Sequence, residues 1–149
     1  MTQMDRVDLI SRSVEETVEA GSSFGAGLLP GQVVALLGDL GAGKTHFVKG
    51  IARAHGIPID SVSSPTFAIA NEYRGGTHPI YHIDCYRLSG AEELERTGAH
   101  EYIGGDGICL VEWPQRIEEL LPPETILVRI RHGEDGLRHI QVLPPLTHE

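Results

Sequence analysis

The chain has 149 residues, 40% hydrophobic and 22% charged, which predicts one domain over residues 1–149 with an apolar core of its own. Its net charge is −9 and Lys44 and Lys49 are its only lysines, which excludes a free, non-specific nucleic-acid binder that neutralises phosphates with basic side chains. Cys85 and Cys109 make no CxxC spacing, and there is neither a basic-then-apolar leader nor an apolar run near the roughly 18 residues a membrane span needs, so a soluble, cytoplasmic protein with reduced thiols is expected.

The first element in chain order is "SVEETVEAGSSFGAGLL", where Ser13 followed by Glu16 reads as a capping box opening a short amphipathic helix. After the Pro30-Gly31 turn, "VVALL" (33–37) is a continuous β-branched and apolar run, the pattern of a strand buried on both faces. The loop "GDLGAGKT" leads into "THFVKGIARAHG", a helix with Phe47, Val48, Ile51 and Ala52 as its inner stripe and Gly56 at its end. An irregular "SSP" precedes two strands, "TFAIANEY" and "PIYHIDCY", around the turn "RGGTH". "SGAEELERTG" is a short helix beginning near Ser89 with Glu92 as its capping acid, and "IGGDG" is a loop. "ICLVEW" is a further buried strand, "PQRIEELL" a helix with Pro114 at its first position, and "TILVRIR" and "RHIQVL" a closing hairpin. This order predicts an α/β sandwich whose mixed sheet has a parallel core and antiparallel additions.

The glycine-rich loop carries the chemistry. Gly38, Gly43, Lys44 and Thr45 fit G-x-x-x-x-G-K-[ST], between a predicted strand and a predicted helix as the pattern requires. Glycines let main-chain N–H groups turn inward around an anion, and the helix start adds its partial positive charge. Lys44 supplies a cation for the terminal phosphates and Thr45 a hydroxyl for Mg2+. Such a site needs an acid at the end of a neighbouring strand, and two are available, Asp84 after "IYHI" and Glu112 after "ICLV". Either can serve the metal or orient the attacking water. In "SSPTF", Thr66 and then Ser64 are candidates for a hydroxyl that senses the metal or the γ-phosphate, against a plain Ser/Pro turn.

Other residues invite weaker readings. His78 and His82, four apart on one expected strand, share a face but lack a third metal ligand and read as ordinary exposed or hydrogen-bonded histidines. Arg87 reads as a carboxylate partner or part of a protein-binding surface rather than an arginine finger. A GTPase is disfavoured because neither lysine is preceded by Asn, so no N-K-x-D motif exists. A small-molecule kinase is the alternative to an ATPase, although no compact Arg-rich lid follows Glu112; binding without turnover is a further reading.

"GDLGAGKT", "SPTF", "DCYRL", "EELERTG" and "ICLVEWPQR" occur in this order, and together they closely resemble the TsaE family, from about Ser13 to Arg138. The resemblance implies a P-loop NTPase-like three-layer sandwich and slow, Mg2+-dependent ATP hydrolysis. It implies work with the proteins TsaD and TsaB in threonylcarbamoyladenosine modification of tRNAs reading codons that begin with A, where the ATPase supports turnover of the complex. By the same resemblance Leu40, Gly41, Ala42, Gly43, Lys44 and Thr45 would hold the triphosphate, and Thr45 and Glu112 the Mg2+. Thr66 and Asp84 would serve the switch and hydrolysis. Trp113 would lie near the nucleotide, with Thr17 and Arg138 as further contacts. His46 departs from the family, which often repeats Thr there.

Overall fold

The computed structural model describes residues 6–39, 43–63, 69–143 and 145. Its strands are β1 (Val7–Ser11), β2 (Val33–Leu37), β3 (Ala70–Tyr73), β4 (Ile80–Asp84), β5 (Ile108–Glu112), β6 (Ile126–His132) and β7 (Arg138–Leu143). Its helices are α1 (Val14–Gly25), α2 (Lys44–Ala54) and α3 (Ala91–Thr97). The strands form one sheet in the order β1-β7-β6-β2-β5-β4-β3. Neighbours among β6, β2, β5 and β4 run parallel. The β1–β7, β7–β6 and β4–β3 pairs run antiparallel, so the expected parallel core with antiparallel additions is what forms.

Alternation along the strands sorts the core into two layers. Val34, Leu36, Leu110 and Val128 pack with Phe47, Val48 and Ile51 of α2 on one side of the sheet. Val33, Cys109, Val111 and Ile83 pack on the other side with Leu94 of α3 and with Ile117. The result is a three-layer α/β sandwich. The cysteines are ordinary buried residues, and burial pushes both thiols up to about 12. Among the described residues no helix is long and apolar enough to cross a membrane.

Glycines bring α1 onto α2 at main-chain contact. A Cβ at Gly50 would lie 2.0 Å from the Val18 carbonyl oxygen, and one at Gly21 would lie 2.1 Å from the Phe47 carbonyl oxygen. Only residues without a side chain fit there, and the contact sets the start of α1 beside the start of α2. Ser13 caps α1 as expected: its Oγ accepts from the Glu16 N–H at 3.0 Å. The Glu16 carboxylate reaches back one residue further than a capping box would, to the Arg12 N–H at 2.8 Å.

Four local expectations differ. Residues 7–11 form an edge strand where none was predicted; four of the five are exposed, so the run lacks a clear buried face. The acid that caps the approach to α3 is Glu93, not Glu92, because Gly90 intervenes and Glu93 accepts from both the N–H and the hydroxyl of Ser89. Pro114–Leu120 forms 3-10 turns rather than an α-helix, interrupted at Ile117, whose φ is −134°. The described part of the predicted strand 66–73 pairs over Ala70–Tyr73 only, while residues 66–68 lie outside the described residues.

Candidate active site at the carboxyl edge of the sheet

The parallel register explains why distant residues meet. Leu36 of β2 lies opposite Glu112 of β5, and Glu112 lies opposite Asp84 of β4. Both acids therefore end their strands at the edge where β2 turns into the glycine-rich loop. That loop reaches α2 through Gly43, whose φ of +106° is left-handed and suits glycine. Lys44 and Thr45 then open the helix, placing its N-terminal partial positive charge at the same edge.

Lys44 is only 5% exposed, unusual for a lysine and tolerable only with partners. Its Nζ donates to the Gly38 carbonyl oxygen at 2.7 Å and stands 3.6 Å from Glu112 Oε1. It also sits over the Trp113 ring, 4.7 Å from the centroid. Trp113 has φ 56° and ψ 51°, a left-handed conformation that is strained for a bulky aromatic. This strain immediately after Glu112 turns the indole back over Lys44, and Tyr86 packs against it at 4.9 Å between centroids.

Glu112 is 4% exposed. Burial alone would raise its carboxyl, but the His82 hydrogen bond and the charges of His82 and Lys44 more than offset that and hold it below its ordinary value. Asp84 is half-buried and goes the other way. Burial raises it, the charge of Glu112 adds to the rise, and the Tyr86 N–H donated to its Oδ1 at 2.9 Å only partly opposes this.

A cavity of about 430 Å3 opens above these groups, lined by Gly43, Lys44, Thr45, Glu112, Thr17 and Arg138, with Ser13, Val14, His46 and Gly136 around them. Thr17 is held by its Oγ1 contact of 2.7 Å with Ser11 Oγ. Arg138 begins β7 and donates to the Gly136 carbonyl oxygen at 3.2 Å. The bare face of Gly43 looks at both: a Cβ there would be 3.7 Å from Arg138 Nε and 3.8 Å from Thr17 Cγ2.

The structure thus brings Thr17, Gly43, Lys44, Thr45, Glu112 and Arg138 to one cavity, with Asp84 beside Glu112 and Trp113 against Lys44. Leu40, Gly41, Ala42, Ser64 and Thr66 lie outside the described residues. Arg116 donates to the Leu88 carbonyl oxygen at 3.1 Å, away from this set. Among the described residues no cluster of three metal-ligating side chains of the His, Cys, Asp and Glu types forms. The oxygen donors Thr45, at the start of α2, and Glu112, at the end of β5, are nevertheless of the kind a hard cation such as Mg2+ takes.

Two groups in this corner were missed. His82 is wholly buried, with Nε2 2.5 Å from Glu112 Oε2, and Tyr73 Oη is 3.1 Å from its Nδ1. His78 precedes β4 instead of sharing it, and its ring faces His55 at 5.7 Å. The usable signal was a histidine inside a run otherwise buried on both faces, two residues before a strand-end acid.

The model of the family described as Threonylcarbamoyl adenosine biosynthesis protein TsaE matches residues 11–140. A relative from Bacillus subtilis, named tRNA threonylcarbamoyladenosine biosynthesis protein TsaE, is 47% identical over 126 residues, 85% of this chain and 78% of the relative. A relative of the same name from Treponema pallidum is 41% identical over 133 residues, 89% of this chain and 97% of the relative. The crystal structure of Bacillus subtilis YdiB superposes with a TM-score of 0.78 at 36% identity, covering 97% of this chain and 89% of that one.

Proposed function

Because the chain belongs to the TsaE family of tRNA threonylcarbamoyladenosine biosynthesis proteins, we propose that the cavity above Lys44 takes ATP with Mg2+ and that the chain hydrolyses it. One observation carries this reading. A nearly buried lysine at a helix start faces a cavity with one strand-end carboxylate 3.6 Å away, an arrangement that a terminal phosphate and a divalent cation would complete.

The chain's residues divide the work by their environments. The N–H groups at the start of α2 and Lys44 Nζ take the phosphate oxygens. Thr45 and Glu112 hold the Mg2+, which when bound neutralises phosphate charge. Glu112, kept ionised by His82 and Lys44, suits a metal ligand; Asp84, with its carboxyl raised by burial, is the better proton acceptor for the attacking water. Water's oxygen bonds to the γ-phosphorus as the bond to the bridging oxygen breaks, and the water proton passes to the carboxylate. Thr17 and Arg138 flank Gly43 from the nucleotide side, and Trp113 screens Lys44 from solvent. Thr66 and the loop residues Leu40, Gly41 and Ala42 belong to the same proposal.

Family membership supports the wider role: hydrolysis sustains turnover of an assembly with TsaD and TsaB that modifies tRNAs reading codons beginning with A. The charge of −9 fits a component that meets tRNA only through such partners. Calorimetric titration with ATP, with and without Mg2+, tests the site, and phosphate release tests turnover. Lys44→Ala should abolish both signals. ATP binding unchanged by that substitution, or a phosphorylated metabolite in place of free phosphate, would overturn the reading. Co-purification with TsaD and TsaB, dependent on ATP, tests the partners.

A further inference from the structure

His82 and Tyr73 touch neither the cavity nor each other's strand ends, yet they connect two parts of the site. His82 stands in β4 opposite Asn71 of β3, and Tyr73 lies two residues further along β3. Both side chains are buried, at 0% and 5% exposure. The His82 ring spans from Glu112 Oε2 at Nε2, 2.5 Å away, to Tyr73 Oη at Nδ1, 3.1 Å away. The Tyr73 hydroxyl donates to the Ser63 carbonyl oxygen at 2.7 Å, and the Asn71 amide donates to that same oxygen at 3.0 Å. The Ser63 N–H also approaches Tyr73 Oη, at 3.4 Å. Ser63 is therefore held through both its main-chain N–H and its carbonyl oxygen, and "SPTF" follows it in the chain.

We propose that Tyr73 and His82 are positioning residues that tie the main chain at Ser63 to the carboxylate of Glu112 and so set how that carboxylate is presented to the site. The proposal rests on the reading of Glu112 as the acid of a nucleotide site. The physical reason lies in the competition for that carboxylate. His82 holds one oxygen, while Lys44 stays 3.6 Å from the other and spends its short hydrogen bond on Gly38. A distance of 3.6 Å is too long for a hydrogen bond. An imidazole that swings away releases Glu112 toward Lys44, closing the ion pair and drawing both groups from the phosphates. Tyr73 is what stops the swing, since a histidine ring is oriented by whatever its far nitrogen meets. A shift of the Ser63 peptide reaches Tyr73 first, His82 next and Glu112 last, and by linkage the reverse path is equally strong.

The test is a double-mutant cycle with a nucleotide-independent readout. Tyr73→Phe keeps the ring and removes the hydroxyl; His82→Gln keeps an amide donor for Glu112 and loses the link to Tyr73. Each should lower phosphate release on the order of 10-fold and raise KM for ATP, because Lys44 is drawn from the phosphates together with Glu112. The double variant should be no worse than His82→Gln alone. In spectra of the free protein, Glu112→Gln should move the Ser63 amide resonance, and Tyr73→Phe should abolish that response. Thermal melts of all variants separate this from unfolding. Effects that multiply across the cycle, or a Ser63 resonance indifferent to Glu112→Gln, would overturn the relay. A response at Ser63 in a protein that neither binds nor turns over ATP keeps the relay and overturns the nucleotide reading instead.

Discussion

Different forces hold the α1–α2 contact and the Glu112 corner. At the first, Gly21 and Gly50 let main chain meet main chain, and the titratable groups that cross it, Arg53 with Glu19 at 2.8 Å and His55 with the Gly25 carbonyl oxygen at 2.7 Å, lie beyond those two glycines. At the second, Lys44, His82 and Glu112 are all at most 5% exposed, and their geometry is set by charge and hydrogen bonds. The first is set by steric fit at the glycines, and the second should respond to ligand, as a site must if binding is to change it.

The largest effect should come from Glu112. Glu112→Gln removes the charge shared by His82 and Lys44 and should slow phosphate release on the order of 1,000-fold, about 4 kcal/mol. Hydrolysis within a factor of two of the unsubstituted protein would remove Glu112 from the machinery. Next is Gly50→Ala, whose Cβ would press 2.0 Å from the Val18 carbonyl oxygen and 2.7 Å from the Ser22 nitrogen, both main-chain atoms. It should cost about 3 kcal/mol, a fall in Tm of roughly 6–12 °C. A loss under about 1 kcal/mol would mean that α1 and α2 are not held at main-chain contact.

The third prediction sits where the two regions meet. Ser13 caps α1 and also lines the cavity, and its carbonyl oxygen takes the Thr17 N–H at 3.1 Å and the Ser11 hydroxyl at 2.8 Å. Ser13→Ala should cost about 1 kcal/mol, or roughly 2–4 °C in Tm. Ser13→Asp should restore most of the loss in the free protein, because an aspartate also accepts from the Glu16 N–H. Failure of that rescue would show that the hydroxyl does more than cap the helix through the Glu16 N–H.

What could be read in the sequence follows the same division. "VVALLGDLGAGKTHF" was legible because strand, loop and helix are neighbours in the chain, and each residue type has a local reason to be there. Asp84 and Glu112 were legible because each closes an apolar strand. His82 was not, since its partner Glu112 is 30 residues away on the adjacent strand, and spacing alone paired it with His78. Trp113 was placed near the nucleotide only by the family resemblance, and its left-handed backbone could not be foreseen, because that conformation reflects packing over Lys44 rather than any preference of tryptophan. The edge strand β1 escaped notice because its exposed residues gain their order by pairing with β7, at the far end of the chain.

The smallest expected effect is also the sharpest discriminator. Asp84 and Glu112 lie in register on adjacent strands, yet their carboxyls shift in opposite directions. Asp84 is raised above its ordinary value of 3.8 by burial first and by the charge of Glu112. Its contribution to stability is therefore present in full below 3.8 and is lost as pH rises through the folded value. Glu112 is lowered from 4.5, so its contribution is present above that value and lost as pH falls through the folded one. Asp84→Asn should then raise stability at pH 7 by up to about 0.5 kcal/mol, the gain vanishing in acid, while phosphate release falls. Glu112→Gln should destabilise at pH 7 and lose that penalty as the solution is acidified. Thermal melts of the two variants across this range should give slopes of opposite sign. Parallel slopes would mean that the two acids share one environment, and the division of metal ligand from proton acceptor would go with it.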